Sequence, residues 1–310
     1  MFWRKKKSFA GKHVCITGGS EGLGLALAME FVREAAHVTI ISRSAAKLSA
    51  ASEGLKRLAG ELGSAGRIAH TSADVTDFGG VRDAVARVEA EGGPVDVLVC
   101  CAGACKLGHF TDLKADDFES AMRLNYMGTV NALQAALPRM ETRDRGLVVI
   151  IASAMAVNGM ACNSSYAPTK WALRGLADSL RMEYQGTGVG FCIAYPPDTA
   201  TPGLEATLEG QEEGSEARQL MELGGETYSV EAVSKAIMKG LKRGDYHLPS
   251  PDFLQNLTVS SMSGLSPAPL WLPFQMLVSS ILVPIYAVYL RKFDAIVRNA
   301  RKRSKSKKDN

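Results

Sequence analysis

The sequence lacks the cysteine spacing that a zinc site requires. Six cysteines are present among 310 residues, and the cluster CCAGAC at 100–105 has no second pair of ligands nearby. Most of the cysteines fall in apolar runs, where small, reduced core residues are expected: Cys15, Cys100, Cys101 and Cys192. We therefore expect a reducing compartment and no metal site.

The sequence also lacks a repeat at solenoid spacing, a nucleic-acid-binding motif and an apolar stretch behind its N-terminal charges. No nucleic-acid partner and no signal peptide are therefore expected. The net charge of +4 is concentrated at the two ends, with RKKK at 4–7 and nine Lys/Arg against two Asp/Glu in the last twenty residues. A mildly acidic body with basic ends is typical of a protein at a membrane surface.

Short apolar segments rich in β-branched residues alternate with longer amphipathic segments between residues 11 and 250. HVCIT, HVTIIS and GLVVIIAS are typical of buried strands, and Gly22 to Glu34 is typical of a helix. A long helix is predicted from Asp116 to Leu137, with a break near Pro138. The alternation predicts an α/β protein with a doubly wound parallel sheet, the Rossmann fold.

Three glycines follow the first predicted strand and open the first helix: Gly18, Gly22 and Gly24, in the stretch TGGSEGLG. Glycine lets the backbone turn tightly and approach a pyrophosphate, and the helix N-terminus offers free N–H groups and a positive dipole end. The position between strand and helix makes this a specific signal for a dinucleotide. Ser20 and Glu21, in the same loop, are also predicted to bind the cofactor.

The residue after the second strand indicates which dinucleotide is bound. An acidic residue there binds the ribose hydroxyls of NAD, whereas an arginine accommodates the 2′-phosphate of NADP. Arg43 occupies this position in IISRS with no acidic residue competing for it, Lys47 follows one helical turn later, and Ser20 can add a hydroxyl. The sequence therefore predicts NADPH as the cofactor.

A tyrosine and a lysine lie four residues apart at a predicted helix start, in YAPTK at 166–170. Reduction of a ketone needs a proton donor at the carbonyl oxygen, and free tyrosine titrates near pKa ~10, too high for efficient exchange at neutral pH. Residues i and i+4 share a helix face, so Lys170 is expected to stabilise the phenolate of Tyr166 and lower its pKa. Pro168 is tolerated because first-turn N–H groups have no partner within the helix.

Two polar residues complete the predicted catalytic set. Ser153 lies at the carboxyl end of the fifth predicted strand, where active sites of this fold lie. Asn125 lies in the helix after the fourth strand, and its amide is a candidate holder of a water that relays protons to Lys170. Taken alone, Ser153 is equally well explained as a turn residue, and Asn125 as a satisfied polar residue of a helix.

The segments TGGSEGLG, CAG at 101–103, Asn125, Ser153 and YAPTK, in this order, resemble the short-chain dehydrogenase/reductase family over about 11–250. The resemblance implies that Tyr166 donates the proton, that Ser153 orients the carbonyl, and that Lys170 also contacts the nicotinamide ribose. It further implies that Asp74, in SADV, contacts the adenine.

The chain departs from the family pattern at two places. CCAG replaces the commoner NNAG, and YPPDTATPG replaces PG after the sixth strand, which makes Thr199 the candidate contact for the nicotinamide amide. This loop, the cradle and the apolar C-terminus together resemble those members that reduce a long-chain keto-amine lipid. A lid is expected at 198–228, where Asp198 and Glu205 are candidates for meeting the substrate amine and Leu204 and Leu208 for an apolar lid surface.

An uncharged segment of twenty-four residues, PAPLWLPFQMLVSSILVPIYAVYL at 267–290, is long enough to span a bilayer, which needs about 20. NADPH chemistry, reduced cysteines and the basic tail all favour the cytosolic side, which favours a re-entrant or in-plane segment over a single span. The terminal KKDN resembles a dilysine retrieval signal. We therefore expect the endoplasmic reticulum membrane, with the catalytic domain facing the cytosol; a buried core or dimer-contact helix is the other interpretation.

These observations divide the chain into a basic N-terminal segment at 1–10, an NADPH-binding catalytic domain at 11–250, and a membrane-associated segment with a basic tail at 251–310. Two other functions stay open: a membrane-bound steroid or retinoid reductase of the same family, and a non-catalytic NADPH-binding sensor. Small residues on the helix that follows Tyr166 allow a homodimer but fit a contact within the chain equally well.

Overall fold

The structure, a computed structural model, describes residues 7–262 and, beyond them, 277, 280, 281, 284, 285, 288, 291, 292 and 294–299. The predicted basic segment at 1–10 and the apolar segment at 267–290 therefore lie mostly outside the described residues, and KKDN lies wholly outside them. Within the described part, no helix combines the length and the apolarity needed to cross a membrane.

Nine strands are found in the described part of the chain: β1 His13–Thr17, β2 His37–Ser42, β3 Ile68–Ser72, β4 Val97–Cys100, β5 Gly146–Ile151, β6 Val189–Ala194, β7 Thr199–Ala200, β8 Tyr228–Ser229 and β9 His247–Leu248. Seven of them form a parallel sheet in the order β3-β2-β1-β4-β5-β6-β9, and β7 pairs with β8. The predicted doubly wound parallel sheet is confirmed. The strand order reverses between β1 and β4, which opens a crevice at their carboxyl ends.

Between residues 7 and 262, ten α-helices accompany these strands: α1 Gly22–Arg33, α2 Ala45–Glu61, α3 Phe78–Gly92, α4 Ala115–Ala121, α5 Gly128–Thr142, α6 Ala167–Glu183, α7 Pro202–Glu209, α8 Glu216–Gly224, α9 Val230–Arg243 and α10 Phe253–Met262. Helices cover both faces of the sheet. Val14 and Ile16 of β1 share a core cluster with Leu27 of α1, whereas Cys15 between them joins the opposite cluster, with Val81 of α3. Successive strand residues point to opposite faces, so continuous apolar strands need this double cover.

The predicted helix from Asp116 to Leu137 is interrupted earlier than expected, and not at Pro138. A π-helical turn at Met122–Met127 separates α4 from α5, and α5 runs through Pro138 to Thr142. Burial of Leu137 and Met140 in the core holds the helix together across the proline. The π turn widens the helix by one residue per turn and turns the Asn125 side chain inward, where it is fully buried.

The segment predicted as a polar lid at 198–228 carries secondary structure of its own. It contains β7, α7, α8 and the start of β8. Thr201 caps α7 by accepting a hydrogen bond from the Leu204 amide (3.1 Å), and Ser215 caps α8 through the Arg218 amide. The Arg218 guanidinium donates to the carbonyls of Leu208 (2.7 Å) and Gln211 (3.1 Å), so the two lid helices are tied to each other.

The lid is anchored to the body beneath it by a small cluster. Ala217 of α8 packs with Leu107 and Cys162, both buried, in a cluster separate from the two main cores. The Thr207 hydroxyl of α7 donates to the carbonyl of Cys105 (3.3 Å). The lid therefore packs against the loop that follows β4.

Candidate active site

The glycine cradle lies at the carboxyl end of β1, as predicted. Gly18 has φ of +71°, and a Cβ there would lie 2.8 Å from the Ala102 backbone; a Cβ at Gly24 would lie 2.1 Å from the carbonyl oxygen of Gly18. Both positions therefore require glycine. No side chain caps the N-terminus of α1, and Glu21, which precedes it, is extended. The first amides of α1 thus stay available to an anionic ligand.

A single cleft of about 640 Å³ gathers most of the predicted site residues. Its volume lies within the range of ligand sites, roughly 300–1,000 Å³. The predicted residues that line it are Gly18, Ser20, Glu21, Gly22, Gly24, Arg43, Lys47, Ser153, Tyr166, Lys170 and Thr199. Asn125 and Asp74 do not line it.

Tyr166, Lys170 and Ser153 meet where β5 ends and α6 begins. Tyr166 directly precedes α6, and the Lys170 ammonium lies 5.5 Å from the centroid of its ring. Lys170 is almost fully buried and donates a hydrogen bond to the carbonyl of Ile151 (3.2 Å). The Ser153 hydroxyl accepts from the Met155 amide (3.2 Å) and is hydrogen-bonded to the Tyr166 phenol. A proton donor, a second hydroxyl and a cation thus face one cavity.

The pKa of Tyr166 differs from the value expected from the sequence, and the pKa of Lys170 is shifted as well. Burial raises the pKa of Tyr166 well above its ordinary value, and the hydrogen bond from Ser153 only partly opposes this. Burial lowers the pKa of Lys170 to about 8, against the opposing influence of Cys101 and Cys105. The expectation that Lys170 lowers the pKa of Tyr166 is therefore wrong for this state, because desolvation is the larger effect.

Asn125 joins the loop after β4 to the first turn of α6. Its amide nitrogen donates to the Ala104 carbonyl (2.9 Å) and to the Thr169 hydroxyl (3.1 Å), and its oxygen accepts from the Ala104 amide (2.9 Å). Thr169 precedes Lys170, so this network holds the lysine's helical turn in place. The water relay assigned to Asn125 stays a prediction.

The cations predicted to bind the 2′-phosphate each have an acidic neighbour. The Arg43 guanidinium is largely exposed and lies 3.8 Å from the Asp74 carboxylate, and the Lys47 ammonium lies 2.7 Å from that of Glu21. No acidic residue takes the place of Arg43 after β2, as the sequence indicates, but an acidic residue from the loop after β3 lies beside it. The parallel register of β2 and β3 brings Asp74 beside Arg43, although the two are far apart in sequence.

Asp74 itself is turned towards its own loop. One carboxylate oxygen accepts from both the amide and the hydroxyl of Thr76, each at 2.8 Å. Burial acts to raise the pKa of Asp74, but these hydrogen bonds and the charge of Arg43 hold it below its ordinary value. Asp74 is therefore ionised at neutral pH. Its contact with the adenine stays a prediction.

Thr199 belongs to β7 and also lines the cleft. Its hydroxyl donates to the Pro197 carbonyl (2.7 Å), and its side chain is buried. Further cleft-lining residues, which the sequence reasoning did not single out, come from the loop after β4, from the segment after β5 and from the lid helices α7 and α8: Ala104, Leu107, Met155, Met160, Ala206, Thr207 and Met221. They are mostly small or apolar residues, and no local spacing in the sequence distinguishes them.

A nicotinamide dinucleotide fits this arrangement. The uncapped N-terminus of α1 lies between Arg43, after β2, and Ser153, after β5. In the strand order these two residues are separated by three strand spacings, about 14 Å. A phosphate site is therefore flanked by cations on one side and by a proton-donor group on the other.

Comparison with known proteins defines the class. The short chain dehydrogenase family matches residues 12–212. The chain belongs to this family, so the resemblance seen in the sequence is confirmed, and the chain is an oxidoreductase of the kind that uses a nicotinamide cofactor.

Similarity to individual proteins is more specific than the match to the family. The chain is 34% identical to the 3-ketodihydrosphingosine reductase of Bos taurus over 95% of this chain and 88% of that protein. It is 32% identical to the 3-dehydrosphinganine reductase of Danio rerio, over 93% and 86%. A solved short-chain dehydrogenase/reductase from Burkholderia phymatum in complex with NAD has a TM-score of 0.69 at 17% identity, over 78% of this chain and 89% of that chain, and so shares the fold.

Proposed function

We propose that this chain reduces the keto group of 3-ketodihydrosphingosine to the alcohol, with NADPH as the hydride source and Tyr166 as the proton donor. The observation that carries the proposal is the similarity to reductases of this substrate along nearly the whole chain. The cleft supports it with a Tyr166, Ser153 and Lys170 group beside a dinucleotide cradle. A sensor that only binds NADPH has no need of that group.

The cofactor, when bound, would supply a hydride to the keto carbon. The amides at the start of α1 would hold its phosphates, and Arg43 and Lys47 would hold the 2′-phosphate that distinguishes NADPH from NADH. The acidic neighbours of these two cations do not exclude this role, because both cations are largely exposed and an incoming phosphate can replace a surface ion pair of small net value.

The residues of the chain divide the proton chemistry among them. Tyr166 keeps its proton at neutral pH, but burial raises its pKa and makes the phenol a weaker acid, so its donation to the carbonyl oxygen depends on stabilisation of the phenolate that forms. Ser153 holds the same oxygen through its hydroxyl. Lys170, with a pKa of about 8, is mostly charged at neutral pH and stabilises the negative charge that forms when the phenol gives up its proton.

The lipid nature of the substrate explains why an apolar C-terminal segment would be useful to the enzyme. A tail of about fifteen carbons, at ~0.8 kcal/mol for each CH₂, would cost on the order of 12 kcal/mol to leave the bilayer. We therefore place the enzyme on the endoplasmic reticulum membrane, held by the segment at 267–290, with its catalytic domain in the cytosol. The uncharged segment and the basic tail of the sequence support this placement.

The test is a substrate panel with NADPH oxidation as the readout and mass analysis of the products. The full-length protein in detergent should convert 3-ketodihydrosphingosine to dihydrosphingosine and leave steroid and retinoid ketones unchanged. Turnover of a steroid or retinoid in preference to the keto-amine lipid would contradict the substrate. NADPH binding without turnover of any ketone would contradict the enzymatic role itself.

A further inference from the structure

One acidic side chain in the cleft has no role in the chemistry described above. Asp198 follows β6 and two prolines, and it lines the cleft together with Ser153 and Tyr166. Its backbone is fixed, because its carbonyl accepts a hydrogen bond from the Tyr228 amide (2.9 Å) where β7 and β8 pair. The carboxylate is therefore presented to the cleft from a rigid position.

The Asp198 carboxylate has no partner. Within residues 7–262, no hydrogen bond and no ion pair is found at its oxygens, whereas Glu21, the other cleft carboxylate, pairs with Lys47. Lys170, which also lines the cleft, directs its ammonium to the Ile151 carbonyl. Burial raises the pKa of Asp198 above its ordinary value, as expected for a carboxylate that leaves water without a compensating charge.

Asp198 acts on the catalytic end of the cleft. Its charge contributes to the raised pKa of Tyr166 and of Cys105, so the carboxylate lies within electrostatic range of the phenol. A partly buried carboxylate without a partner beside the phenol is costly for the free protein, and a ligand that brings a cation to this place reduces the cost.

We propose that Asp198 is the binding subsite for the ammonium group of the substrate and selects ketones that carry an amine beside the carbonyl. The inference rests on the proposed function, because the carbon next to the keto carbon of 3-ketodihydrosphingosine carries the amine. An ion pair at this carbon fixes the carbonyl in one orientation towards Tyr166 and Ser153. A neutral steroid or retinoid ketone leaves the carboxylate unpaired, so the same residue rejects it.

The other sequence candidate for the amine, Glu205, does not fit. It lies on the exposed side of α7 and does not line the cleft. The two carboxylates lie seven positions apart in the same lid segment, so Glu205 offers a matched control for Asp198.

The experiment compares two substrates and three proteins, all full length. The substrates are 3-ketodihydrosphingosine and the long-chain 1-hydroxy-3-ketone that has hydrogen in place of the amine. The proteins are the wild type, Asp198→Asn and the control Glu205→Gln. Values of kcat/KM with NADPH give the preference for the amine in each protein, and fluorescence titration gives the affinity for NADPH.

The wild type and Glu205→Gln should both prefer the amine substrate by about 100-fold, the size expected for a charged pair in a desolvated site. Asp198→Asn should lower that preference to less than about 10-fold, because turnover of the amine substrate falls while the neutral ketone is reduced as before. NADPH affinity should stay unchanged in all three proteins, which shows that the variant is folded.

Four outcomes overturn the subsite. A wild type that reduces both ketones equally well contradicts it without any variant, and leaves the reductase function standing. An Asp198→Asn protein that keeps the full preference, or that loses NADPH affinity and both substrates together, assigns the carboxylate to another role. A wild type that reduces neither ketone refutes the proposed function, and the subsite with it.

Discussion

Replacement of Lys170 by methionine tests whether its ammonium is held in a desolvated site. Burial lowers the pKa of Lys170 from its ordinary value of 10.5 to about 8. Because a tenfold change in proton affinity is worth about 1.4 kcal/mol, keeping Lys170 charged costs the folded protein roughly 3 kcal/mol at neutral pH. Methionine is similar in length and uncharged, so Lys170→Met removes this cost and leaves the Ile151 carbonyl without this donor.

The free-energy cost of keeping Lys170 charged in the folded protein decreases as the pH rises. Between about pH 8 and pH 10.5 the unfolded chain binds more protons at this lysine than the folded chain, so the free energy of unfolding of the wild type rises with pH. From pH 7 to pH 9 the wild type should gain about 1 kcal/mol relative to Lys170→Met. Burial raises the pKa of the Cys101 and Cys105 thiols to about 11 and about 12, so these thiols lower the free energy of unfolding as pH rises, but they do so in both proteins and cancel from the difference.

The measurement is urea unfolding of the full-length, cofactor-free protein in detergent, followed by circular dichroism at the two pH values. Lys56→Met, at an exposed lysine, is the control, and its difference from the wild type should be the same at both pH values. Lys170→Met should also lose reductase activity while it stays folded. Parallel stability of the wild type and Lys170→Met at pH 7 and pH 9 would refute the desolvation argument.

Three further predictions concern the cofactor, the fold and the membrane. Arg43→Ala should weaken NADPH binding about 10- to 100-fold in a calorimetric titration and hardly affect NADH; equal weakening of both would contradict the 2′-phosphate contact. Asn125→Ala removes the three hydrogen bonds of a buried side chain and should lower the free energy of unfolding by about 2–4 kcal/mol, and a loss below about 1 kcal/mol would contradict its structural role. Deletion of 267–310 should abolish activity on substrate in vesicles but not in micelles, whereas unchanged activity in vesicles would exclude a role in substrate access.

Local sequence signals were sufficient for the sheet and the cradle. Continuous apolar strands between amphipathic segments predict a doubly covered parallel sheet, and glycine at 18 and 24 is required by close backbone contacts. The Tyr166 and Lys170 pair was predictable because residues four positions apart lie on the same face of a helix. Ser153 followed from its place at the end of a strand.

Features that depend on distant contacts were not predictable. The π turn at Met122–Met127 holds one more residue than a turn of α-helix. The spacing of apolar residues in the sequence does not reveal this extra residue. The approach of Asp74 to Arg43 depends on the register of two strands. The raised pKa of Tyr166 depends on burial, which the sequence does not give, and the spacing to Lys170 therefore suggested the opposite direction.

The proton donor is tested most directly by comparing the wild type with Tyr166→Phe, using NADPH, 3-ketodihydrosphingosine and mass analysis of the product. The account predicts that the wild type forms one dihydrosphingosine for each NADPH oxidised. It predicts that Tyr166→Phe binds NADPH with unchanged affinity but turns over roughly 1,000-fold more slowly, within the range for loss of a general acid. Turnover by Tyr166→Phe at the rate of the wild type would contradict the account.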